Sequence, residues 1–110
     1  GLGRDIKEMT AILASIDGLY ACFDTNHSLK DDNVEFVRAL GSRIIALHVS
    51  DYDFINERHR MPFDGKNDWK GIMNALKEVG YSGTWNYEVS TDGRRAAEFT
   101  ENYARLLENA

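Results

Sequence analysis

Three short apolar runs in this chain each stop at a side chain able to bind a divalent cation. Leu19-Tyr20-Ala21-Cys22-Phe23 stops at Asp24, Ile44-Ile45-Ala46-Leu47 stops at His48, and the alternating run that starts at Thr84 reaches Glu88. Each run has strand length, and the segments between them carry apolar residues at three- and four-residue spacing. Ile6, Met9, Ile12, Leu13 and Ile16 stripe a first helix broken by Asp17-Gly18. Val34, Val37 and Leu40 stripe a second, closed by Gly41. Trp69, Ile72, Met73, Leu76 and Val79 stripe a third, with Asp68 as its cap and Gly80 as its terminator. A last helix is predicted from about Arg95 to Leu107. The order α-β-α-β-α-β-α requires parallel strands joined by helical crossovers, an α/β class. Periodicity alone leaves an open sheet and a piece of a barrel equally open.

Length narrows the choice of architecture. With 110 residues the chain is expected to form a single domain, residues 1–110, against roughly 250 for a whole (β/α)8 barrel. At 43% hydrophobic and 28% charged residues it has the composition of an ordinary globular protein. A net charge of -5 disfavours a partner whose backbone is polyanionic, so nucleic acid is not expected. No apolar stretch approaches the ~20 residues of a membrane span, and no membrane partner is expected. Cys22, the single cysteine, lies in an apolar run, where it reads as a small buried residue of a reducing compartment, the cytoplasm.

The chemistry concentrates at the strand ends. In parallel α/β folds the C-terminal ends of the strands are where sites are built, and here each end offers a ligand. Two carboxylates and an imidazole with no thiolate suit Mn, Mg, Co or Zn better than a structural zinc site of cysteines. The third strand alternates Trp85, Tyr87 and Val89 on a face that would pack under helices with Thr84, Asn86 and Glu88 on the other. By the same alternation Tyr20 and Cys22 share the Asp24 face, and Ile44 and Ala46 share the His48 face. The stretch from Ser50 to Asp68 is charged, lacks periodicity and holds the only proline, Pro62, which predicts a long loop of the kind that carries function.

These same segments carry a family resemblance. Cys22-Phe23-Asp24-Thr25-Asn26-His27 resembles the D-T-x-H segment of the xylose isomerase-like superfamily of sugar isomerases, epimerases and abasic-site endonucleases. Leu47-His48-Val49-Ser50-Asp51 resembles its H-x-x-D strand end. Arg58-His59-Arg60-Met61-Pro62, with Gly65 and Asp68-Trp69, resembles its R-H-x-x-P-G-x-G-x-x-D-W loop, although Phe63 stands where the pattern has glycine. Gly80-Tyr81-Ser82-Gly83 and Tyr87-Glu88 are similar to its closing G-Y-x-G and Y-E.

The resemblance implies the C-terminal half of a (β/α)8 TIM barrel with three parallel strands. It implies Asp24, His48 and Glu88 as metal ligands, with Glu88 also the catalytic acid/base. His27, His59 and Arg60 become substrate-binding residues, and Asp51 a supporting residue. The expected partner is a small sugar, and the expected reaction a proton transfer beside a carbonyl. The family's remaining metal-binding glutamate would lie on the strand before the first helix, with the other barrel strands also preceding residue 1. On that reading the chain self-associates or pairs with an N-terminal half. A non-catalytic half-barrel is the alternative. In the endonuclease branch His27 and His59 would bind further zinc ions, but Glu57 stands in place of that branch's aspartate and the net charge is acidic.

Overall fold

The computed structural model describes residues 5–25, 32–52, 59–90 and 93–108. Helix α1 spans Ile6–Ser15 and starts at Asp5, whose carboxylate accepts the Glu8 N–H at 2.8 Å. No glycine closes it. The guanidinium of Arg43 takes that part, donating to the carbonyls of Leu13 at 2.9 Å, Ile16 at 3.4 Å and Leu19. Strand β1 (Ala21–Asp24) follows, then α2 (Asn33–Leu40), capped by Asp32 through the Val34 N–H at 2.6 Å. Gly41 ends α2 at φ 56, a left-handed conformation that favours glycine. A 3₁₀ turn over Gly41–Arg43 leads into β2 (Ile44–Val49). Helix α3 (Trp69–Glu78) is capped by Asp68 through the Gly71 N–H at 3.0 Å, and β3 (Thr84–Tyr87) and α4 (Ala96–Glu108) complete the order.

The strands form one parallel sheet in the order β1-β2-β3, matching their order in sequence. Neighbouring helices pack on one another, α1 on α2, α2 on α3 and α3 on α4, and together they cover one face of the sheet. Phe23, Leu47 and Val49 from the sheet meet Phe36, Val37 and Leu40 from α2, Ile72, Met73 and Leu76 from α3, and Leu106 from α4. An open doubly wound sheet would reverse its strand order and carry helices on both faces. Sequential order with a single helical layer is the arrangement of consecutive units of a barrel, so the fold is a partial (β/α)8 barrel.

The opposite face is open. Cys22, His48, Thr84, Asn86 and Glu88 are exposed on it, and Cys22 is therefore not the buried residue that its apolar flanks predict. Ile44 also departs from expectation. Pairing runs Ala21 to Ile44 and then Cys22 to Ala46, so Ile45 is an extra residue on β2. Such a bulge resets the alternation. Ile44 is consequently buried with the helices rather than lying beside His48, while Ile45 is 57% exposed. Among the described residues no helix is long and apolar enough to cross a membrane.

Candidate metal centre

Parallel register sets the site. Asp24 pairs with His48 across β1 and β2, and His48 pairs with Asn86 across β2 and β3. The ladder runs one step past β3, where the Glu88 N–H donates to the Val49 carbonyl at 2.8 Å. Alternation then turns Asp24, His48 and Glu88 to the open face. Nδ1 of His48 lies 2.9 Å from Oε2 of Glu88 and 3.9 Å from Oδ2 of Asp24. One ligand atom from each of the three residues falls within a 4.8 Å span. At metal–oxygen distances of about 2.1 Å, neighbouring octahedral ligands sit about 3 Å apart. The His48–Glu88 pair already meets that spacing, and Asp24 would need to close on His48 by about 1 Å. The donor set fits a hard or borderline divalent cation.

The local field agrees with the geometry. Cys22 sits on the same face, and its thiol is pushed up by partial burial and then by the negative charges of Asp24 and Glu88. The two carboxylates that contribute to this shift make the face one that disfavours a third anion and favours a cation.

Behind the strand ends, buried side chains stitch the loops. Thr25 and Ser50 follow Asp24 and His48 closely and are almost fully buried. The Thr25 hydroxyl donates to the Ser50 carbonyl at 2.6 Å and accepts the Ser50 N–H at 3.0 Å. Asn33 and Asn67 both donate to the Thr25 carbonyl at 3.0 Å. Asp51 is fully buried, and its carboxylate accepts five hydrogen bonds. Those come from the N–H groups of Tyr52, Phe63, Gly65 and Asn67 and from the Trp69 indole, at 2.8 to 3.0 Å. Asp51 also forms an antiparallel bridge with Arg60.

This hub organises the described part of the predicted long loop. Phe63 adopts φ 81, the left-handed conformation that explains why glycine is the usual residue in this loop pattern. Its ring lies 3.8 Å under the Arg105 guanidinium of α4. Asn102 of α4 adds a bond to the Pro62 carbonyl at 2.9 Å, so the last helix also holds the loop.

Of the expected substrate-binding residues, His59 reaches the centre. Its Nδ1 lies 3.0 Å from the Glu88 carbonyl and 3.5 Å from the Ser50 hydroxyl, at a backbone φ of 50. Arg60 bonds within its own loop, to the Asp64 carbonyl at 3.5 Å. His27 lies outside the described residues. Asp51 and Thr25 are the residues whose structural weight the sequence understated. The signals available were the family resemblance of the segments around Asp24-Thr25 and His48 to Asp51, which marked Asp51 as a supporting residue without showing what it supports.

The xylose isomerase-like TIM barrel family model matches residues 1–109. The chain belongs to that family. The uncharacterized protein y4fM of Sinorhizobium fredii is 30% identical over 80 residues, 71% of this chain and 26% of its own length. A D-tagatose 3-epimerase-like protein superposes with a TM-score of 0.76 at 24% identity, covering 98% of this chain and 41% of its own. An L-ribulose 3-epimerase gives 0.66 at 19% identity, covering 92% and 34%. These two likenesses establish the fold. The chain spans about a quarter of its curated relative and less than half of either structure.

Proposed function

We propose that this chain supplies the C-terminal half-site of a metal-dependent sugar isomerase or epimerase. The observation that carries the reading is the convergence of Asp24, His48 and Glu88 within 4.8 Å at adjacent strand ends of a partial barrel. Membership of the xylose isomerase-like family and the names of the two structural neighbours support a sugar as substrate.

In this reading Asp24, His48 and Glu88 hold a divalent ion, Mn, Mg, Co or Zn. When bound, the ion supplies Lewis-acid polarisation of a sugar carbonyl. Glu88 carries or removes a proton at the neighbouring carbon, for which its carboxylate is exposed enough to meet a substrate. His59, at the Glu88 carbonyl, and Arg60, in the same loop, orient sugar hydroxyls. A proton moved off one face and returned to the other needs a second acid/base, which the family pattern assigns to a strand before α1. The chain by itself is therefore a binding half-site with little or no turnover.

The open sheet face supports a second element of the reading, association with a second copy or with an N-terminal half. An uncovered face with exposed Ile45 and Tyr20, and strands β1 and β3 at the edges, is costly for a monomer in water. An endonuclease role has less support. The net charge is -5, and among the described residues the metal-capable cluster holds one ion's worth of ligands without His59.

The test is manganese binding by calorimetry to the 110-residue chain, beside Asp24→Ala and Glu88→Ala, with mass from light scattering. Saturable binding abolished in both variants is expected, in a species heavier than the 12.5 kDa monomer. Binding that persists in both variants overturns the site. Epimerisation of ketoses is then assayed in a protein carrying the preceding barrel strands.

A further inference from the structure

Strand β3 ends at Tyr87, so Glu88 lies just outside the regular sheet and its backbone needs other support. Two hydrogen bonds provide it. The Glu88 N–H is held by Val49, and the Glu88 carbonyl is held by His59 Nδ1 at 3.0 Å. A carbonyl can only accept, so Nδ1 carries the proton. The neutral His59 ring is then the tautomer with Nε2 as its acceptor nitrogen. The backbone of His59 joins in, its carbonyl accepting the Ser90 N–H at 3.2 Å.

His59 makes these contacts from a left-handed backbone, and Phe63 in the same loop is left-handed too. Conformations of that kind persist only where the surroundings fix them. The fixing group is Asp51, a fully buried carboxylate that collects five donors from residues 52 to 69 and whose own N–H donates to the Arg60 carbonyl at 2.6 Å, beside His59. Gly65 leaves room for it, since a Cβ there would come within 2.7 Å of the Asp51 carboxylate.

We propose that Asp51 is the positioning residue of this centre: it holds the loop so that His59 clamps the Glu88 backbone with Nδ1–H and offers Nε2 as an acceptor for a substrate hydroxyl. The proposal rests on the reading of Glu88 as ligand and acid/base. Asp51 touches neither metal nor substrate and acts through His59. The end of β2 thus carries a ligand, His48, and three residues later comes the anchor that orders the opposite wall.

The experiment uses the 110-residue chain with Asp51→Asn, Gly65→Ala, whose methyl would press on the Asp51 carboxylate, and Leu13→Ala as a destabilised control in α1, a helix that packs on α2. The histidine ring nitrogens are read by 15N-resolved NMR without metal in alkaline solution, with His59 assigned through His59→Gln. Manganese affinity is measured in parallel. Wild type is expected to give the Nδ1–H tautomer at His59. Asp51→Asn and Gly65→Ala are expected to lose that signature and to bind manganese about tenfold more weakly, the scale on which supporting groups around ligands act. Leu13→Ala should keep both. If Asp51→Asn does not fold, Gly65→Ala decides.

Retention of the tautomer in the hub variants overturns the proposal, and so does its equal loss in Leu13→Ala. A wild type that binds no manganese but whose His59 tautomer is lost in the hub variants would refute the metal reading and leave the clamp standing.

Discussion

Replacing Thr25 by valine keeps the shape of the side chain and removes one oxygen. That oxygen serves the Ser50 backbone twice, donating to its carbonyl at 2.6 Å and accepting its N–H at 3.0 Å. Thr25 is 1% exposed and Ser50 0%, so no water can take over either bond. Each orphaned buried group costs about 1–3 kcal/mol, and two together give roughly 2–4 kcal/mol after partial relaxation. Urea unfolding has a slope of about 1–3 kcal/mol per molar for small proteins, which converts the loss into a midpoint lower by roughly 1–2 M at unchanged slope. Thr25→Ser keeps the oxygen and gives up one buried methyl, about 0.8 kcal/mol. The consequence reaches the site, because Thr25 adjoins Asp24 and its own N–H binds the His48 carbonyl at 3.2 Å. Manganese affinity should fall in the valine variant more than in the serine variant. A valine variant as stable as the serine one refutes the reasoning, since it would mean that the Ser50 groups lose nothing with the hydroxyl.

Three further outcomes follow from the structure. Asp24→Asn, which keeps size and removes charge, should weaken manganese binding while leaving the unfolding free energy in urea within about 0.5 kcal/mol of wild type, as expected of a site residue outside the core. Burial pushes the Tyr87 phenol up to about 12, against about 10 in an unfolded chain, so between those values the unfolded state gives up a proton that the folded state keeps. Stability should therefore fall as pH rises from about 10 to about 12, and Tyr87→Phe should flatten that limb in pH-dependent melts. Arg43→Met removes the donor that closes α1 on three carbonyls, and should cost roughly 1–2 kcal/mol with hydrogen exchange in α1 accelerated before that in α3.

The strand ends were the most legible part of the chain, because an apolar run that stops at Asp24 or His48 is a local pattern and parallel pairing then brings such ends together. Helix limits were legible for the same reason: Asp68 and Gly80 act within one turn of their own position. The resemblance marked Asp51 as a supporting residue, but the hub it forms was not legible. Four of its five donors are backbone N–H groups, which every residue but proline carries, so nothing in the side chains from Tyr52 to Asn67 advertises the arrangement. Cys22 misled for a different reason. Its neighbours establish that it lies on a strand, whereas its exposure depends on whether anything covers that face of the sheet.

The bulge at Ile45 is where the demands of core and site meet. Strict alternation puts Ile44 and His48 on one face, and the two residues need opposite ones: Ile44 must fill the space under the helices while His48 must stand beside Asp24. One extra residue in β2 separates the requirements, turning Ile44 inward at 5% exposure and leaving Ala46 and His48 in register with Cys22 and Asp24. Ile45, the residue inserted, ends up exposed, a cost in apolar surface that only the placement of its neighbours offsets. Register rather than side-chain reach therefore assembles the three metal-capable side chains. Two lie on paired rungs, the third extends the ladder by one bond, and what the loop contributes is the restraint that keeps that last step in place.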